Sequence, residues 1–83
     1  MIFRVDFGVP VDGVPPDVVA ELHARMLEIA RVLGAMPESN PIWQSMAGGG
    51  LLLDVKRWRL LYRVDRPSAA IVVDQVLALP EGP

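Results

Sequence analysis

Residues 51–76 read LLLDVKRWRLLYRVDRPSAAIVVDQV, and three segments of this stretch have the pattern of β-strands. The first is the short apolar run 51–55, and the second, 57–65, alternates between an apolar face and a mostly cationic face. The third, 70–79, is rich in β-branched residues and apolar on both faces apart from two polar positions, as is typical of a central strand. Because consecutive strands are usually neighbours, the pattern predicts a three-stranded antiparallel meander.

The N-terminal half of the chain adds one strand and one helix. Residues 2–7, IFRVDF, alternate between apolar and charged side chains, which predicts a half-buried strand. After a loop rich in proline and glycine, apolar residues recur every three or four positions, which predicts a helix over 16–33 with Gly34 as its left-handed C-terminal residue. The segment 35–50 is expected to cross the surface, with a short helical turn near 41–46.

This order of elements predicts one α+β domain over residues 1–83, with the helix packed on one face of the sheet and residues 80–83 as a tail. A chain of 83 residues is too short for two hydrophobic cores. The 52% content of hydrophobic residues places it among ordered proteins. A domain this small without cysteines depends on its core or on a partner, so we expect a homodimer or a bound protein.

The composition excludes several kinds of site. The absence of cysteine excludes disulfides and thiolate metal sites, and the single histidine, His23, excludes a site with two imidazoles. Glycines at 48–50 lack the GK[ST] sequence and the helix that a phosphate loop requires, which favours a flexible turn. We therefore expect no metal and no cofactor. Since no apolar run approaches the ~20 residues of a membrane helix, we also expect a cytoplasmic protein without membrane contact.

Charge is distributed unevenly along the chain. Eight basic residues against ten acidic ones give a net charge of −2, which argues against a globally basic nucleic-acid binder. Five of the eight basic residues nevertheless fall within residues 54–66. One interpretation is an anion-binding strip of Arg57, Arg59 and Arg63, with the last two ~13 Å apart on one strand face. The other is a solvated face whose cations pair with acids on neighbouring strands. Those acids are Asp54, Asp65 and Asp74.

Three further side chains have both a structural and a functional interpretation. Tyr62 could contact a substrate, but it alternates with apolar positions, which favours a place in the core. Trp43 has no second aromatic residue beside it in the sequence, which favours a packing anchor over a stacking platform for bases. His23 has no nucleophile near it in the sequence, so we expect an ordinary surface residue.

Apolar residues exceed what one small core requires. They occupy both faces of segment 70–79 and extend beyond the helical stripe at Leu27 and Val32. We interpret part of this excess as an interface, either the surface of a homodimer or a groove that a segment of a partner protein fills.

The segment WRLLYRVD, residues 58–65, resembles the aromatic–Arg–aliphatic–aliphatic–Tyr strand of the RelE/ParE superfamily of bacterial toxins, and the order of elements is also similar. The close part of the resemblance is the stretch 51–76, about a third of the chain. It implies the toxin of a type II toxin–antitoxin system, with a role in plasmid stabilisation. Such a toxin is cytoplasmic, is neutralised by an antitoxin protein, and acts on the ribosome and its mRNA or on DNA gyrase.

The resemblance also implies site residues. Arg59 falls on the superfamily's sheet arginine, which makes it the catalytic candidate if the chain is a ribosome-dependent endoribonuclease. The supporting target or anion contacts would be Lys56, Arg57 and Arg63. RNA cleavage needs such cations because negative charge gathers on the phosphate oxygens. Most of the superfamily's basic cluster is missing, since strand 51–55 is largely leucine and residues 76–80 contain no His, Arg or Tyr. The alternative to a toxin is therefore a non-catalytic, degenerate member that is a small dimeric or partner-binding protein.

Overall fold

The computed structural model describes residues 2–46 and 50–80. Its elements, in chain order, are β1 (Arg4–Phe7), α1 (Pro16–Ala35), α2 (Ile42–Met46), β2 (Leu51–Val55), β3 (Trp58–Asp65) and β4 (Ala70–Ala78). The four strands form one mixed sheet in the order β1-β4-β3-β2. The α+β class, the N-terminal strand, the long helix, the short second helix and the C-terminal meander are confirmed.

The N-terminal strand joins the sheet in parallel. β1 pairs with β4, with Arg4 opposite Ala70 and Phe7 opposite Val73. β3 pairs antiparallel with both β4 and β2. β4 therefore lies between two strands, as the sequence predicts for a central strand. β1 and β2 are the two edges of the sheet.

Helix α1 ends later than the sequence predicts. It continues through Gly34 to Ala35, so the predicted left-handed Gly34 is wrong. The helix stops at Met36, which has extended backbone (φ −80°, ψ 130°) and donates its N–H to the carbonyl of Leu33 at 3.2 Å. The physical reason is Pro37, because the ring of a proline disfavours the helical conformation of the preceding residue.

Some sequence predictions concern residues outside the described ranges. They are the flexible turn at 48–50, of which residues 48 and 49 lie outside, and the tail at 80–83, of which residues 81–83 lie outside. Among residues 2–46 and 50–80, no helix combines the length and the apolar character needed to cross a membrane.

The hydrophobic core lies between α1 and one face of the sheet. α1 buries one stripe at helical spacing: Val18, Leu22, Met26, Ala30 and Leu33. The other members of this core are Phe3, Val55, Leu60, Tyr62, Ile71 and Val73. The expected place of Tyr62 in the core is confirmed, and its burial raises the pKa of the Tyr62 phenol. The hydroxyl of Tyr62 is thus held in its neutral form.

A β-bulge in β4 places two consecutive polar residues on the same face. Leu61 lies opposite Gln75, whereas the next residue, Tyr62, lies opposite Val73, so Asp74 is the extra residue. Asp74 and Gln75 are both exposed. In a regular strand one of these two neighbours would point into the core, where an unpaired polar group is costly. The bulge removes that conflict.

The position of the core is testable with two leucines on opposite faces of the sheet. Leu60 is fully buried under α1, so Leu60→Ala should lower the free energy of unfolding by about 2–5 kcal/mol. Leu77 is 46% exposed on the other face, so Leu77→Ala should change it by about 0.5 kcal/mol or less. Urea unfolding of both variants measures the difference. An equal loss of unfolding free energy in the two variants would contradict this placement of the core.

Candidate functional site

α1 covers one face of the sheet, and we call the opposite face the open face. Successive side chains of a strand point to opposite faces, so the open face takes alternate residues of each strand. Its side chains are Arg4 and Asp6 from β1, Leu52 and Asp54 from β2, Arg59, Leu61, Arg63 and Asp65 from β3, and Ala70, Val72, Asp74, Gln75 and Leu77 from β4. The open face thus combines three arginines and four aspartates with several apolar side chains.

Arg59, the candidate catalytic residue, is held by a carboxylate of its own sheet. It lies directly opposite Asp54 of β2. Its Nε is 2.8 Å from Asp54 Oδ1, and its Nη2 is 3.0 Å from Asp54 Oδ2. This two-point geometry matches the planar guanidinium to the carboxylate. The hydrogen bonds to Arg59 hold the pKa of Asp54 below the ordinary value of 3.8, and they raise the pKa of Arg59 in turn.

Arg63 has an equivalent partner across the next strand pair. Its Nε lies 3.3 Å from the carboxylate of Asp74, the residue that the bulge adds to β4. On β1, Arg4 Nε lies 3.0 Å from Asp6 Oδ2. Each arginine of the open face is therefore beside a carboxylate of the same face, as the solvated-face interpretation predicts.

Lys56 and Arg57 lie outside this face, because the structure uses them for the turn between β2 and β3. Both have positive φ, 47° and 67°, the conformation of a two-residue hairpin turn in which Asn and Gly are usual. Lys56 Nζ is 3.4 Å from Asp17 in the first turn of α1, and the Arg57 carbonyl accepts the N–H of Leu79 at 2.7 Å. Arg57 therefore does not lie on the strand face that Arg59 and Arg63 share, since so short a connection needs both residues for its reversal.

The side chains between the ion pairs of the open face are apolar. Leu52 is 57% exposed and Leu77 is 46% exposed. Leu61 is half-buried and lies opposite Leu52, and Val72, also half-buried, lies opposite Arg63. Apolar side chains bordered by internally paired charges are typical of a surface that binds protein. A phosphate-binding surface instead directs its cations at the ligand.

Trp43 belongs to a stacked cluster that the sequence did not reveal. Its ring stacks on Phe3 with 5.9 Å between centroids, and the Arg66 guanidinium lies 4.7 Å from the Trp43 ring centroid. Its Nε1 donates to the carbonyl of Pro37 at 2.9 Å. These contacts agree with the packing-anchor interpretation, but an aromatic neighbour is present. Phe3 is far away in sequence, so no local pattern indicated it. His23 is exposed on α1, as expected.

The Arg59–Asp54 pair predicts a specific pH dependence of stability. Because the pKa of Asp54 is lowered in the folded state, its ionised form stabilises the fold above the ordinary pKa of 3.8. That stabilisation is lost as the pH falls through the lowered folded value. Melting temperatures should therefore be higher for the wild type than for Asp54→Asn at neutral pH and should converge in acid. Asp12→Asn, the same charge change in the exposed loop before α1, should match the wild type throughout. An unchanged difference at low pH would contradict the pairing.

Comparisons with known proteins assign no family to the chain. No protein-family model matches it, and no curated protein or solved structure matches it significantly.

Proposed function

We propose that this chain is a RelE/ParE-like toxin component that acts in the cytoplasm by binding protein, not by cleaving RNA. The observation that carries this proposal is the two-point pairing of Arg59 with Asp54. The residue that the resemblance marks as catalytic is engaged by its own sheet. The apolar side chains beside it supply the contact surface for a protein.

RNA cleavage would require Arg59 to direct its N–H donors at phosphate oxygens in the transition state. Two of those donors are bonded to Asp54. A phosphate would have to displace a carboxylate that is attached to the same sheet and therefore competes at a high effective concentration. Asp74, beside Arg63, adds a second negative charge to the face that the phosphate would approach. Both features favour a surface without nuclease activity.

The proposed partners are proteins of two kinds. The resemblance implies an antitoxin that neutralises the chain and a protein target such as DNA gyrase. A partner segment that fits the open face presents apolar side chains to Leu61 and Leu77, with polar groups beside the Arg59 and Arg63 ion pairs. An apolar centre with a polar rim is the usual organisation of such an interface.

Controlled induction of the chain in bacteria tests this proposal. The wild type should arrest growth without mRNA cleavage, and Arg59→Ala should still arrest growth, because Arg59 does no chemistry. Leu77→Asp should relieve the arrest, because it places a charge in the apolar part of the open face. Val32→Asp is the matched control, since Val32 is 62% exposed on α1, away from the open face. It should arrest growth like the wild type.

Circular dichroism of the purified variants establishes that each is folded. Cleavage of mRNA that disappears in Arg59→Ala would contradict the proposal and assign the chain to the ribonucleases. Relief of growth arrest by Val32→Asp but not by Leu77→Asp would show that the open face is not the binding surface.

The same ion pairs favour a second candidate function. A degenerate member of the superfamily would keep the fold and bind a partner or itself without harming the cell. It predicts normal growth and abundant soluble protein after induction of the wild type. Growth arrest by the wild type would exclude this second candidate.

A further inference from the structure

β2 forms an edge of the sheet but has the composition of an interior strand. Edge strands usually carry a lysine, a proline or an inward-pointing charge that discourages pairing with another chain. β2 reads LLLDV and has apolar side chains on both faces. Leu52 is 57% exposed on the open face, while Leu51 and Leu53 are half-buried on the helix-covered face. A strand that is apolar on both faces is typical of the inside of a sheet.

The opposite edge, β1, carries two charged residues on the open face, where β2 carries one. It is four residues long, and its open-face side chains are Arg4 and Asp6, which pair with each other at 3.0 Å. The chain turns away soon after, at Gly8 and Pro10. Charged side chains are a common protection of an edge strand. The contrast marks β2 as the edge suited to pairing.

The hairpin geometry identifies the backbone groups that β2 presents outward. Because β2 and β3 are joined by a two-residue turn, the closing pair, Val55 and Trp58, exchanges both backbone hydrogen bonds. Such pairs alternate along an antiparallel ladder, so alternate residues of β2 direct their N–H and C=O groups away from β3. The outward-facing residues of β2 are Leu52 and Asp54.

Asp54 does not oppose association as an unpaired edge charge would. Its carboxylate is turned onto the open face and bonded to Arg59 at 2.8 and 3.0 Å. The edge is therefore apolar apart from one internally neutralised ion pair. A second copy carries the same internally neutralised pair, so pairing brings no net charge to the joined edge.

We propose that β2 pairs antiparallel with β2 of a second copy of this chain, about a two-fold axis at Leu52. Residues 50–54 then lie opposite residues 54–50 of the second copy, and the two sheets join into one of eight strands. Such a pairing is isologous, because each copy contributes the same groups. The two exposed Leu52 side chains meet across the axis.

Repulsion between like charges favours this register over the one with the axis at Leu53. With the axis at Leu52, the two Asp54 residues are four positions apart along the strands, about 14 Å. With the axis at Leu53, they would occupy diagonal positions about 7–8 Å apart, where like charges repel. An interface of one strand pair lies below the ~1,200 Å² of a stable complex, so the dimer should dissociate on dilution. The pairing does not depend on the proposed function.

Sedimentation of the full chain over a range of concentrations tests the pairing. The wild-type mass should rise from the 9.1 kDa of one chain toward twice that value. Leu52→Lys, which adds an edge-protecting charge, should stay at the mass of one chain. Leu77→Lys, exposed on the same face but in the interior strand β4, should dimerise like the wild type.

Amide hydrogen exchange of the unmodified chain gives a second readout that needs no variant. Exchange at Leu52 and Asp54 should slow as the concentration rises, whereas the Leu53 amide, already bonded to β3, should not change. A mass of one chain at every concentration, with no added protection at Leu52, would overturn the proposal. Loss of the dimer in Leu77→Lys as in Leu52→Lys would also overturn it, because association would then use the open face.

Discussion

Burial of α1 against the two central strands is the interaction on which the other features of this domain depend. Leu22 and Met26 of α1 and Leu60, Ile71 and Val73 of the sheet are all fully buried. Because strand side chains alternate between faces, burying Leu60 and Tyr62 commits the intervening side chains of β3 to the open face. The arginines of β3 are therefore displayed as a consequence of core packing. The bulge in β4 is a second consequence of core packing, since it keeps Asp74 and Gln75 out of the core.

The open face shows why a cationic strand is not by itself an anion site. Its three arginines lie beside carboxylates of the same face, and the Arg59–Asp54 pair has two-point geometry. The chain thus keeps the strand pattern that resembles a toxin superfamily while its cations are neutralised internally. The exposed leucines on that face and at the β2 edge do not contribute to the core. We propose that association with protein accounts for them.

Local patterns in the sequence predict most of the elements but not their long-range pairing. Period-two and helical spacing located the strands and α1, because each segment must bury one face. The parallel pairing of β1 with β4 and the stacking of Phe3 on Trp43 join distant segments, and no local pattern encodes them. The sequence predicts that the helix ends at Gly34, whereas the proline at 37 determines its end. The sequence allows either an anion-binding strip or paired acids for Arg59 and Arg63. The strand register places Asp54 and Asp74 beside these arginines, as the second interpretation predicts.

The central claim is that Arg59 is engaged by Asp54 and performs no chemistry, so that the chain acts by binding protein. Incubation of the purified wild-type chain and Arg59→Ala with ribosomes translating a defined mRNA, followed by mapping of the mRNA ends, tests it most directly. The account predicts an intact mRNA with both proteins. Cleavage by the wild type that is absent with Arg59→Ala would contradict it.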